Sequence, residues 1–249
     1  MPRRPGVRYR TIVLGRTKLA EQDLIVTMLA QGGEQVRAVA KGARKPGTRL
    51  AARTNLCVEA DMLISPGRGL GIITEAEVVN PHASVGAEVE RLSCASALCE
   101  VARLTSYEEM TDTFLYPLLS RAITACEEAT YRAQLDLVAA AYILKVLSHE
   151  GWRPVLDTCV ACGEPSATRL CVRAGGLLCE SCAREVEDAV NVSQNTIDWL
   201  AALINLRFDE LLEARIDDGT STELLSVAHR WAATHLDARL RAVEFLLTV

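Results

Sequence analysis

Four cysteines stand in two pairs, Cys159-x-x-Cys162 and Cys179-x-x-Cys182, with sixteen residues between the pairs. Each C-x-x-C offers two sulfurs from one tight turn, and the separation matches the spacing of structural zinc modules. Four soft thiolates close a tetrahedron around a single ion. No position is left for water, so the expected metal is one structural Zn2+ rather than a catalytic one. The alternative is a set of buried or redox-active thiols. Gly163 follows Cys162 directly, where a turn would strain a side chain, and Gly175-Gly176 suits a hairpin between the two pairs. Cys171 reads as a spare or packed cysteine. Cys57, Cys94, Cys99 and Cys126 read as small core residues.

Other chemistry is missing from the sequence. None of His82, His149, His229 or His235 is followed by Glu two residues on, so the zinc-deaminase pattern is absent. His149-Glu150 has no second His at metalloprotease spacing. There is no Gly-Lys-Ser/Thr and no Gly-x-Ser-x-Gly, and Gly67-Arg68-Gly69-Leu70-Gly71 reads as a turn. The carboxylate pairs Glu108-Glu109 and Asp217-Asp218 read as solvated faces. No nucleophile and base stand out, and no enzymatic activity is expected.

The second candidate for function is charge. The 249 residues carry 27 Lys and Arg against 32 Asp and Glu, a net −5. Residues 1–80 nevertheless carry +6 and the remainder −11, and residues 1–58 alone carry +9. A basic segment on an acidic body favours a polyanion partner, although a solvated surface balanced by the rest of the chain gives the same count. The positive charge concentrates in Lys41-Gly-Ala-Arg44-Lys45-Pro-Gly-Thr-Arg49, with Arg37 before it and Arg53 after it. Gly and Pro keep this stretch a loop, and its five cations beyond Arg37 suit a phosphate backbone. Residues 1–80 hold one aromatic, Tyr9. Stacking of bases on several rings is therefore excluded there, and contact should be electrostatic and salt-sensitive.

These residues must be held by a scaffold. Tyr9–Leu14, Asp23–Leu29, Gln35–Ala40, Leu56–Ile64 and Gly71–Val79 read as five strands. In the fourth, Leu56, Val58, Ala60, Met62 and Ile64 share one face. Gly32-Gly33 marks a hairpin, and Ser65–Gly69 a turn. Five short strands without a long helical pattern predict an OB-fold barrel over 1–80. After Asn80-Pro81 the chain turns Ala/Leu-rich. Helices are predicted over 85–104, over 113–128 with Asp112 as cap, and over 132–150 ended by Gly151. Two more run from Ser193 toward Arg207, and over 223–247 with Thr222 as cap. The fold class is α+β: a barrel at 1–80, a helical domain at 81–157 and 184–249, and an inserted zinc module at 158–183. No run of about 18 apolar residues could cross a membrane. The basic N-terminus lacks an apolar segment of secretory type, and reduced thiols fit a cytoplasmic location.

In this order the features resemble the bacterial RecO recombination mediators. Thr11-Ile-Val-Leu14, Glu21-Gln-Asp-Leu-Ile-Val-Thr27 and Val36–Lys45 look like that family's opening barrel. Gly67-Arg-Gly-Leu70 with Ile73-Thr-Glu-Ala-Glu77 looks like its fifth strand. Gly151-Trp-Arg-Pro154, Cys162-Gly163 and Gly175–Cys179 look like its zinc module. The resemblance implies a DNA repair protein, not an enzyme, that binds single- and double-stranded DNA through the barrel and anneals complementary strands. It implies that, with RecR, the protein helps load RecA onto DNA coated by single-strand binding protein, and that it works in the bacterial cytoplasm at the nucleoid. It also implies a contact to the acidic C-terminal tail of single-strand binding protein through the helical domain. Arg121, Arg132 and Lys145 are candidates for that contact, and an ordinary surface charge is the simpler reading of each. The competing function is a zinc-ribbon adaptor acting through protein contacts of the helical body. A metalloenzyme with an open coordination position is a third. The DNA-binding candidates are Arg37, Lys41, Arg44, Lys45, Arg49 and Arg53. Replacing Lys41, Arg44 and Lys45 together should weaken binding to every sequence and flatten its salt dependence.

Overall fold

A computed structural model describes residues 5–67 and 69–249. Arg3, Arg4 and Arg68, counted in the charge above, lie outside the described residues, as does the Arg68 position of the glycine-rich turn. The chain forms two compact units, the first ending at Glu127 and the second running from Glu128 to Val249.

The first unit is built on a closed five-stranded barrel with the order β1-β2-β3-β5-β4. Its strands are β1 (Val7–Lys18), β2 (Leu24–Ala30), β3 (Gln35–Ala40), β4 (Glu59–Ser65) and β5 (Gly71–Asn80). All neighbours are antiparallel except β3 and β5, which close the barrel in parallel through Ala38–Gly71 and Val39–Ile72. This is the OB-like barrel expected from the sequence. Val13, Val26, Met28, Ala38, Ala60 and Met62 fill its interior. The alternation read in the fourth strand holds from Val58 onward, with Val58, Ala60, Met62 and Ile64 all buried, but the strand begins at Glu59, so Leu56 lies before it half-buried and Cys57 is buried.

The Gly32-Gly33 hairpin needs its glycine twice. Gly33 has φ +90°, and a Cβ there would lie 1.9 Å from the Asp112 carbonyl oxygen. The barrel also contains an element that the sequence pattern did not reveal. Residues Arg49–Arg53 form a short helix, α1, whose start is capped by the Thr48 hydroxyl accepting from the Leu50 amide at 3.3 Å. Five residues without an apolar stripe give no helical period to read.

After the barrel, a short 3-10 turn (Ala83–Gly86) leads into α2 (Val89–Thr105), so the helix expected from residue 85 begins four residues later. α2 packs on β1 and β2. α3 (Leu115–Glu128) follows, entered through Asp112, whose carboxylate accepts from the Phe114 amide at 3.0 Å. Pro117 is tolerated because the amides of a first helical turn have no helical partner.

The second unit is organised around α4 (Arg132–His149), buried along nearly its whole length because it is apolar on every side. It ends as predicted: Gly151 takes φ +92°, and the Trp152 amide returns to the Leu147 carbonyl at 2.7 Å. Around α4 pack α6 (Gln194–Asn205), α7 (Phe208–Glu213) and α8 (Asp218–His235). Ser193 caps α6 by accepting from the Thr196 amide at 3.0 Å. The last predicted helix is corrected in two respects. Its cap is Asp217, which accepts from Thr220 at 2.9 Å, and it is two helices, α8 and α9 (Arg241–Leu246). Thr222 turns inward to the buried Asp136 instead, at 3.4 Å. Asp136 also accepts from Arg132 at 2.8 Å and Ser221 at 3.2 Å. Between α4 and α6 stand a three-stranded sheet of β6 (Arg169–Cys171), β7 (Gly176–Leu178) and β8 (Val190–Asn191), and a one-turn helix, α5 (Glu180–Ala183). Among the described residues no helix is long and apolar enough to cross a membrane.

Candidate metal centre and basic face

The two C-x-x-C pairs meet. The sulfurs of Cys159, Cys162, Cys179 and Cys182 all lie within 4.8 Å of one another. Each pair is shaped by its backbone. Gly163, at φ +79°, sends its amide back to the Cys159 carbonyl at 2.8 Å and closes the first turn. The second pair opens α5, where the Ala183 amide reaches the Cys179 carbonyl at 3.0 Å. The hairpin foreseen at Gly175-Gly176 joins β6 to β7. Gly176 is fixed there, because a Cβ would meet the Val155 carbonyl oxygen at 2.3 Å. Cys171 is buried outside the cluster, its sulfur 3.9 Å from the Glu187 carbonyl.

The cluster has the dimensions of a metal site. A tetrahedron with metal–sulfur bonds of about 2.3 Å has edges of about 3.8 Å. The Cys162 and Cys179 sulfurs are 3.7 Å apart. The thiols also divide. The Cys159 thiol is held down to about 6, foremost by the Cys179 amide; burial opposes this, and the Cys162 and Ala161 amides add to the lowering. The Cys182 thiol is pushed up to about 12 by hydrogen bonding to the neighbouring sulfurs, Cys179 foremost. Cys179 is lowered like Cys159, and Cys162 is raised like Cys182, so the first thiolates oppose the ionisation of the others, an arrangement that a bound cation relieves. Backbone amides aimed at the sulfurs offset part of the remaining negative charge.

In the first unit, the six basic candidates divide by what their side chains already hold. Lys41, Lys45 and Arg49 are exposed and make no side-chain hydrogen bond or ion pair among the described residues. The loop that carries them is anchored from below, with the Asp23 carboxylate accepting from the Gly42 amide at 2.8 Å. Arg44 donates to the Glu21 carbonyl at 2.6 Å and the Ala20 carbonyl at 3.2 Å, fastening this loop to the β1–β2 connection. Arg53 is half-buried and donates to the Ala76 carbonyl of β5 at 2.7 Å, in a groove shared with Arg8, Glu75 and Glu77. Arg37, on β3, has Glu108 at 3.9 Å.

Two family models cover nearly the whole chain. "Recombination protein O N terminal" matches residues 5–82, and "Recombination protein O C terminal" matches residues 87–244. The chain belongs to the RecO family. Among similar proteins, one from Frankia casuarinae is 32% identical over 245 residues, covering 97% of this chain and 98% of that protein. One from Bifidobacterium adolescentis is 30% identical over 241 residues, covering 94% and 96%. A third, from Bifidobacterium animalis subsp. lactis, is 31% identical over 241 residues. All three are named DNA repair protein RecO.

On this RecO scaffold, two of the charges considered for the acidic-tail contact hold the fold together. Lys145 donates to the Ile204 and Leu206 carbonyls at 2.8 and 2.6 Å, at the C-terminus of α6, where a cation is favoured. Arg132 holds Asp136 and the Leu246 carbonyl. Asp217 is solvent-exposed, as read, and also caps α8.

The sequence reading also missed a neighbour of the basic face. The connector between α2 and α3 lies along β3. The Tyr107 carbonyl accepts from the Gln35 amide at 3.0 Å, and the Asp112 amide donates to the Gly32 carbonyl at 2.9 Å. This brings an exposed aromatic, Tyr107, and an acid, Glu108, to the edge of a barrel that holds one aromatic of its own. Pairings across seventy to eighty residues leave no local trace in the sequence.

Proposed function

We propose that the protein is a recombination mediator in DNA repair that binds single- and double-stranded DNA through its barrel and anneals complementary strands. With RecR it helps load RecA onto DNA coated by single-strand binding protein, whose acidic tail it contacts through the helical part. The observation that carries the reading is the group of exposed, internally unpartnered cations Lys41, Lys45 and Arg49 on the barrel of a RecO-family chain. Arg37, Arg44 and Arg53 flank this group and complete the DNA-binding set.

The mechanism is charge neutralisation. Two DNA strands repel, and a cationic surface lowers the cost of bringing them together while bases find their pairs. Nothing in it requires a nucleophile or nucleotide hydrolysis. Cys159, Cys162, Cys179 and Cys182 hold one Zn2+, whose bonds supply folding energy to a module too small to have a core of its own.

The test is annealing of two complementary labelled oligonucleotides, followed by energy transfer across a salt series and without nucleotide. Annealing that rises with protein and falls with salt supports the reading. No annealing and no DNA binding at low salt overturns it and leaves an adaptor that acts through protein contacts.

A further inference from the structure

Four cysteines outside the metal cluster lie buried in the first unit as two touching pairs. The Cys57 and Cys99 sulfurs are 3.5 Å apart, and those of Cys94 and Cys126 are 3.2 Å apart. Neither pair is a disulfide. Each pair joins different elements: Cys57 at the entry to β4 with Cys99 on α2, and Cys94 on α2 with Cys126 on α3. Cys94 and Cys99 are five residues apart, so they point about 140° apart around their helix. One faces the barrel and the other faces α3. α2 is thus the common rod between two thiol contacts.

The Cys57 end is held with care. Cys57 is a non-glycine residue at φ +65°, a backbone that such residues rarely adopt. The Val13 carbonyl, beside the irregular β1 register at Val13–Gly15, accepts from the Cys57 amide at 2.9 Å and lies 3.8 Å from the Cys99 sulfur. Only glycine would take this backbone without strain, and the residue that takes it here carries a thiol. A thiol brought to another thiol makes use of it.

We propose that Cys57–Cys99 and Cys94–Cys126 are disulfide-forming sites that lock the barrel, α2 and α3 together when a small disulfide oxidant such as oxidised glutathione is present. In each pair one thiolate attacks the glutathione disulfide, forming a mixed disulfide and releasing one glutathione thiolate. The second protein thiol, deprotonated, displaces the other glutathione thiolate and closes the protein bond. Two protein thiols are oxidised and one small disulfide is reduced to two thiols. Closing each bond brings the sulfurs together by a little over about 1 Å, within the freedom of a side chain. Burial and the neighbouring sulfurs keep the Cys99 and Cys126 thiols protonated in the closed unit. Attack therefore awaits transient opening, so oxidation is slow, and the finished bonds are shielded from reductants.

The experiment uses the full, metal-loaded chain. It is incubated with excess oxidised glutathione, acid-quenched, alkylated and digested, and linked peptides are identified by mass spectrometry. The expected products are Cys57–Cys99 and Cys94–Cys126, each bond accompanied by loss of two hydrogens. The unfolding midpoint should rise by about 10 °C or more, because both bonds close long loops. Cys57→Ala should lose only the first bond and Cys126→Ala only the second. Persistent reduced thiols, stable glutathione adducts, other pairings, or an unmoved midpoint each overturn the proposal. If a variant fails to fold, the wild-type peptide map and midpoint decide it alone.

Discussion

Replacing Lys41, Lys45 and Arg49 together with alanine tests the basic face where the structure makes it most exposed. These three side chains hold nothing inside the protein, so their loss should leave the barrel folded. Each phosphate neutralised on duplex DNA contributes about −0.9 to the slope of log affinity against log salt. If all six basic candidates engage, the wild-type slope is about −5, and the triple variant should show about −2.7. Near 0.1 M salt the difference corresponds to affinity about two to three orders of magnitude weaker, and the two lines should converge near about 1 M. The assay is fluorescence anisotropy of a labelled duplex titrated at several salt concentrations. Arg53→Ala is the control. Its guanidinium holds the Ala76 carbonyl, so its removal should cost about 1 kcal/mol of stability and, as one contact of six, change the slope by no more than about 0.9. An unchanged slope in the triple variant refutes the assignment. So does a slope that Arg53→Ala flattens as much as the triple variant does.

Removing the metal with a chelator, or breaking the cluster with Cys162→Ser, should unfold the 158–183 module, seen as new protease cleavage there; cobalt substitution should give the absorption of a four-sulfur tetrahedral site with no water ligand. Resistance of the module to both treatments would count against a structural metal. Gly33→Ala combines a positive φ with a collision against the Asp112 carbonyl, so it should lower stability by about 2 kcal/mol or more in urea titration, and an unchanged midpoint would contradict the hairpin geometry. His235 stacks on Trp152 at 4.6 Å, and burial holds its imidazole below the ordinary 6.5. Below pH 6.5 the unfolded chain takes up a proton that the fold resists, so stability should fall as pH drops through that value. His235→Phe should flatten this part of the pH profile of unfolding, and an unaltered profile would assign it to other groups.

What the sequence discloses is what repeats locally. The period-2 burial of Val58, Ala60, Met62 and Ile64 is written in the chain, and so are the C-x-x-C turns and the glycine that ends α4. The caps were legible where one candidate stood alone, as with Ser193. At the start of α8, Asp217 and Thr222 compete, and tertiary contact decides between them, because Thr222 has a buried carboxylate to meet. α1 was hidden because five residues after a Pro-Gly pair show no period, although Thr48 is a suitable cap. The paired cysteines were hidden for another reason. Cys57, Cys94, Cys99 and Cys126 look like any small core residue until folding brings positions 42 and 32 residues apart into contact.

The same difference explains why a run of positive charge is a poor map of a binding face. Arg44 and Arg53 are as basic as Lys41 and Lys45, and they occupy the same twenty residues. A guanidinium presents several donors in a fixed plane and suits backbone carbonyls, and here two arginines fasten the loop and α1 to neighbouring connections and strands. The ammonium groups of Lys41 and Lys45, on flexible stems and more strongly hydrated, stay in solvent. The arginines that build the loop therefore present its lysines, with Arg49 at the start of α1 as the exception that makes no side-chain bond among the described residues. A Lys-to-Arg exchange at 41 and 45 should preserve the salt slope, because the slope counts charges. An Arg-to-Lys exchange at 44 and 53 should loosen the segment that carries them, because a more strongly hydrated ammonium on a shorter side chain reaches the Ala20, Glu21 and Ala76 carbonyls less well.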